Sequence, residues 1–128
     1  MKAKIDAVGV TSSNFKSTVK FYSLLGFDFP EYKKDEQHLE ANTKDGGVRL
    51  MIDSTKMFIE LNDEEPKPGN RSAFAVLYES IEEVNKVSSA VKEAGFKVIK
   101  EPWDAFWGQR YAVVEDPDGY RVDLFARL

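Results

Sequence analysis
Two stretches of this chain repeat each other at a distance of about half its length. Residues 24–29 (LLGFDF) match 93–98 (EAGFKV), and 44–52 (KDGGVRLMI) match 117–125 (PDGYRVDLF). Halves of about 60 residues are too long for a solenoid repeat and long enough to carry several elements each. The fold therefore has to be built twice from one plan.

The plan can be read from hydrophobic spacing. Residues 2–11 alternate, with Ile5, Ala7 and Gly9 on one side and Val8 and Val10 on the other, which is the period of a strand. Ser12, Ser13 and Asn14 offer capping oxygens, and Phe15, Val19, Tyr22 and Leu25 form one helical face that Gly26 stops. Three extended runs follow, at 27–32, 37–43 and 48–53, the last two joined by a Lys44-Asp45-Gly46-Gly47 turn. The acidic stretch at 53–65, with Asp53, Glu60, Asp63, Glu64 and Glu65, reads as a solvated loop, and 62–70 as a linker with two prolines and a glycine.

The second half repeats the order. Residues 72–78 read as a strand, and Ser80 with Glu83 forms a capping box in which the glutamate reaches back to the serine amide. Ile81, Val84, Val87, Val91 and Ala94 make the next helical face, ended by Gly95. Strands are predicted at 96–100, 109–115 and 119–127, with Asp116-Pro117-Asp118-Gly119 as the turn before the last. The expected fold class is α+β. Two βαβββ modules, 1–61 and 71–128, flank the linker 62–70, with curved mixed sheets forming a cup and the helices outside. A sheet covered by a helix on one face needs a partner for the other, either the opposite sheet or a ligand.

Composition narrows the chemistry. With 18 Lys and Arg against 22 Asp and Glu, the net charge of −4 provides no global attraction to nucleic acid or anionic membrane. Cysteine is absent, which removes disulfides and thiolate chemistry, and His38 is the only histidine. No apolar run approaches the roughly 18 residues of a membrane span, and residues 1–6 lack a signal-peptide core, so a cytoplasmic protein is expected. Asn70-Arg71-Ser72 matches a glycosylation sequon that is meaningless without secretion.

The segments 8–29 (VGVTSSNFKSTVKFYSLLGFDF), 47–53 (GVRLMID) and 107–125 (WGQRYAVVEDPDGYRVDLF) together resemble the vicinal oxygen chelate superfamily of glyoxalases, bleomycin-resistance proteins, fosfomycin-modifying enzymes and extradiol dioxygenases. The resemblance covers nearly the whole chain. It implies a divalent metal held from four cup-facing strand positions. Those positions map to Ala7, Leu50, Ala73 and Asp123, with Arg71 in place of Ala73 if the register slips by two. Only one of the four mapped residues can coordinate, and a lone carboxylate does not hold a catalytic ion against water. The expectation is no metal and no cofactor. His38, off the mapped positions, reads as a partly exposed strand histidine.

The resemblance to bleomycin-resistance proteins implies metal-independent sequestration of a small aromatic or cationic molecule. The alternative is a lyase- or dioxygenase-type enzyme with a remodelled metal or acid/base site, drawing on Asp123 or Glu60. Ligand contacts are expected from Asp123 as the polar handle and from Trp103, Phe106 and Tyr111 as walls, with room left over Ala7, Leu50 and Ala73. Trp107 is expected to pack as a structural corner. Phe29, Tyr32, Phe58 and Tyr120 add to the aromatic inventory. A homodimer is expected, since one module cannot close a cup alone.

Overall fold
The computed structural model describes residues 2–67, 69 and 73–128. The chain divides into two compact units, 1–67 and 68–128. Arg71, Ser72 and the sequon lie outside the described residues.

The first unit is a three-stranded mixed sheet with two helices. Strand β1 (Ala7–Ser12) is followed by α1 (Phe15–Leu24), β2 (His38–Glu40), β3 (Arg49–Ser54) and α2 (Thr55–Asn62). The strand order is β1-β3-β2, with β1 parallel and β2 antiparallel to β3. The register Val8↔Leu50, Val10↔Ile52 and Leu39↔Ile52 places these apolar side chains on one face, where Val10, Leu39, Leu50 and Ile52 are buried. Ala7, Gly9 and Thr11 fall on the other face, opposite Arg49, Met51 and Asp53.

Asn14 caps α1 by accepting from the Ser17 amide at 3.1 Å. Its buried stripe is Thr18, Phe21, Tyr22 and Leu25, rotated from the expected face so that Phe15 and Val19 are only half-buried. A 2.7 Å bond between Thr18 Oγ1 and Ser12 Oγ, both buried, accounts for the rotation, because it holds the threonine side of the helix to β1. Gly26, at φ 105°, ends the helix as expected.

Two segments of this unit differ in kind from what was expected. Residues 27–32 are not a strand: Pro30 lacks a donor, and the segment contributes one backbone bond to the chain beyond it, from the Asn42 amide to the Asp28 carbonyl. Residues 55–62, expected as solvated loop, are α2. Ser54 caps it from its own side chain, and Asp63, in the left-handed region at φ 57°, closes it. Glu60 lies on this helix, exposed. The first strand is also shorter than expected, beginning at Ala7.

The second unit follows the βαβββ plan. It comprises β4 (Ala73–Leu77), α3 (Ile81–Glu93), β5 (Lys97–Ala105), β6 (Gln109–Glu115) and β7 (Arg121–Arg127), in strand order β4-β7-β6-β5. Helix α3 lies against β5, β6 and β7 and buries Val84, Ser88 and Val91. Beneath it Ala112, Val114, Val122, Leu124 and Ala126 are buried, alternating along β6 and β7 with half-exposed residues of the opposite face. Ser80 caps α3 as expected, but Glu83 accepts from the Ser80 hydroxyl at 3.2 Å rather than from its amide.

Strand β5 runs well past its expected end at Lys100. It stays in the sheet by taking two register breaks against β6, between Val98 and Lys100 and between Lys100 and Trp103. Extra residues in one strand are β-bulges, and one of these places Pro102, a residue tolerated in strands chiefly at bulges and edges.

Candidate functional site
The bulges decide what the second sheet presents. In a regular strand, residues three apart point to opposite faces. Between Lys100 and Trp103, β5 spends three residues where β6 spends two, from Val113 to Tyr111. Both side chains therefore emerge on the face away from α3, and the Lys100 ammonium sits 4.8 Å from the centroid of the Trp103 ring.

That face has an ordered grain. One row across the sheet is Trp103–Tyr111–Phe125–Leu77, and the row beside it is Lys100–Val113–Asp123–Ala75. Trp103 meets Tyr111 edge-on at 5.7 Å, and Tyr111 stacks on Phe125 at 6.0 Å with an interplanar angle of 28°. The Tyr111 hydroxyl crosses to the second row and donates to Asp123 Oδ2 at 2.5 Å. Burial, and then this bond to the carboxylate, push the Tyr111 phenol up to about 12, so it remains a donor throughout the physiological range. Asp123 is thereby held in place with a hydrogen bond to one of its two oxygens.

Trp103, Tyr111 and Asp123 are thus brought together. Ala73 is exposed on the same face, one row further along, opposite Arg121. Phe106 does not belong to the wall. It is 97% exposed in the β5–β6 turn, where it touches Trp107 edge-on. Trp107, expected to be a packing corner, is half exposed. It contacts Trp103 and Tyr111 at 6.0 and 5.3 Å, and its indole N–H donates to Gln109. Trp107 therefore extends the aromatic surface that Phe106 only prolongs into solvent.

In the first unit the half-exposed face carries a charged chain that spacing along one strand reveals only in part. His38 Nδ1 lies 2.6 Å from Asp53 and Nε2 lies 2.8 Å from Glu40. Glu40 is shared with Arg49 at 2.8 Å, and Arg49 reaches Asp6 at 2.7 Å. The geometry follows from pairing. His38 and Glu40, two apart on β2, share a face, and the register sets Asp53 directly opposite His38. The H-x-E spacing was the available signal.

A carboxylate on each ring nitrogen favours the imidazolium form. The bonds to Glu40 and then Asp53 raise its pKa above the usual histidine value of 6.5. The bond to His38, then that to Arg49, lowers Glu40 below 4.5. A raised histidine stabilises the fold fully below its unfolded value and loses that contribution as pH rises through its folded value. A lowered carboxylate stabilises above its unfolded value and loses that as pH falls. The network is therefore strongest between about pH 4.5 and 6.5. Comparing urea midpoints of the parent and His38→Gln, the parent's advantage should be larger at about pH 5.5 than at about pH 9. An advantage that grows with pH would show that the ring is not held charged.

The residues do not fit the metal that the resemblance implies. Ala7 and Ala73 carry no donor atom. Leu50, expected to face the same way as Ala7, is buried on the opposite face of β3, because Ala7 pairs with Arg49 and Leu50 with Val8. Asp123 is bonded by Tyr111 and Asp53 by His38. Among the described residues no group of three or more His, Asp or Glu side chains is arranged to hold an ion. A cleft of about 310 Å³ beside the 44–47 turn, lined by Lys4, Asp6, Lys44, Asp45 and Arg49, contains none of the expected contact residues. Among the described residues no helix is long and apolar enough to cross a membrane.

Comparison with known proteins agrees with this architecture. The family model for the glyoxalase/bleomycin resistance protein/dioxygenase superfamily matches residues 4–124. Among solved structures, a glyoxalase/bleomycin resistance protein/dioxygenase family enzyme from Burkholderia phytofirmans superposes with a TM-score of 0.81 at 19% identity, covering 98% of this chain and 100% of that one. A glyoxalase-related enzyme from Fulvimarina pelagi gives 0.81 at 17% identity, covering 97% and 88%. A hypothetical protein from S. aureus gives 0.79 at 21%, covering 94% and 91%. No curated protein matches the sequence. At these identities the structures speak to the fold alone, while the family model spans nearly the whole sequence: the chain belongs to the glyoxalase/bleomycin resistance protein/dioxygenase superfamily.

Proposed function
We propose that this protein binds a small aromatic or cationic molecule, without a catalytic metal, on the second unit's half-exposed sheet face. The observation that carries this reading is the Asp123 carboxylate, bonded by Tyr111 beside a row of aromatic rings. Rings supply apolar area and a negative quadrupole face, and the carboxylate supplies a charge that favours a cation. Sequestration, as in a drug-resistance protein, needs no more than this. The protein is expected to act in the cytoplasm as a homodimer.

The reading is tested with a planar cationic dye, acridine orange, titrated against the purified protein by fluorescence. Trp103→Ala should weaken binding roughly tenfold, about 1.4 kcal/mol. Asp123→Asn should weaken the dye and spare 9-methylanthracene, a neutral molecule of similar shape. If both variants bind the dye as the parent does, the site lies elsewhere.

A further inference from the structure
We propose that the same face selects a dipolar aromatic ligand, one carrying an anionic group at one end and a cationic group at the other. This rests on the reading above and specifies its ligand class. The row Lys100–Val113–Asp123 sets a cation and an anion on the two strands that flank β6, with one apolar residue between them. Strands lie about 4.8 Å apart, so the two backbones are separated by roughly 10 Å, the scale of a single substituted ring with charged ends. The adjoining row, Trp103–Tyr111–Phe125, supplies the surface on which that ring lies.

Neither charge is placed casually. Asp123 is fixed by the Tyr111 hydroxyl. Lys100 reaches this face only because β5 is bulged, and its ammonium rests over Trp103. A lysine in that position competes with a ligand that is only cationic for the Trp103 ring, so such a ligand binds there more weakly than one that also carries an anionic end. An anionic end changes the balance: the ammonium then leaves a cation–π contact for an ion pair with the ligand, while Asp123 takes the opposite end. Other charges near the row are engaged elsewhere, Arg121 with Glu115 at 3.0 Å and Arg110 with Asp104 and Asn85. Ala75, at the end of the charged row, leaves space beside Asp123.

Calorimetric titration with three probes on one frame tests the proposal: 4-(aminomethyl)benzoate, its methyl ester and 4-methylbenzoate. The dipolar probe should bind the parent about tenfold more tightly than either singly charged one. Lys100→Met should abolish its advantage over the ester without weakening the ester, and Asp123→Asn should abolish its advantage over 4-methylbenzoate. An ester that binds the parent as tightly as the dipolar probe overturns the proposal, as does an advantage that survives Lys100→Met. If acridine orange binds through Trp103 while the three probes show no such order, the dipolar selection falls and the binding site stands. If neither dye nor probes bind, both fall.

Discussion

Leu124→Ala should lose about 3–5 kcal/mol of unfolding free energy, a large part of the 5–15 kcal/mol typical of a domain. Leu124 is fully buried in the middle of β7, between Val76 on β4 and Ala112 on β6. The helix-covered face around it is built largely of small and β-branched residues, Ala112, Val114, Val122 and Ala126. Such a layer collapses poorly into a vacated volume, so the cavity persists and adds its own cost to the lost transfer energy. The control is the next residue. Phe125 points to the opposite, half-exposed face, so Phe125→Ala removes more atoms yet should cost less stability. Urea denaturation of both variants checks the pair. If Phe125→Ala were the more damaging, the two faces of β7 would be wrongly assigned.

Asp116→Ala should be nearly as severe, at about 2–4 kcal/mol, although it removes only a carboxylate in a turn. Asp116 is 3% exposed, and its Oδ1 accepts from the amides of Asp118 and Tyr120, both at 2.9 Å. The backbone closes around the same residue: the Asp116 amide donates to the Tyr120 carbonyl, and the Gly119 amide donates to the Asp116 carbonyl. Gly119 adopts φ 97°, which favours glycine, so the turn cannot relax cheaply once its side-chain acceptor is gone. Alanine leaves two amides without that acceptor. Asparagine keeps one oxygen in the right place, so Asp116→Asn should retain most of the stability. Equal losses in the two variants would mean that charge, rather than the acceptor, holds the turn.

Much of the architecture could be read from spacing. Helices α1 and α3 announced themselves by apolar period, cap and terminal glycine, and the strands of the second half by alternation between turns. What failed did so for identifiable reasons. Residues 27–32 place Phe27 and Phe29 two apart, but Pro30 removes a donor and the segment never joins the ladder. Helix α2 was obscured by the acidic residues in and around it; its signals were Ser54 as a cap and the Met57, Phe58 and Leu61 grouping, none of which is fully buried.

The site was legible in part. Trp103, Tyr111 and Asp123 were expected and lie together. The role of Lys100 was not, because a period-two reading ends β5 at that residue and cannot anticipate bulges. Phe106 was misplaced for the same reason: an aromatic at a turn tip looks like a wall residue until the turn is located. Leu50 was displaced by one register step, which in a strand reverses the face. The His38 chain needed the pairing of β2 with β3, which is a property of two segments and not of either alone.

The irregularity of β5 also bears on solubility. It is an edge strand of its sheet, and an edge that offers a straight, unbroken ladder can template the addition of a strand from another molecule. Here the ladder is interrupted twice and Pro102 withholds an amide, while Lys97, Lys100 and Glu101 stud the strand with charge. A neighbouring chain would find neither continuous donors nor a uniform apolar flank to zip onto. The distortion that turns Lys100 and Trp103 to one face thus also guards this border against cross-β assembly.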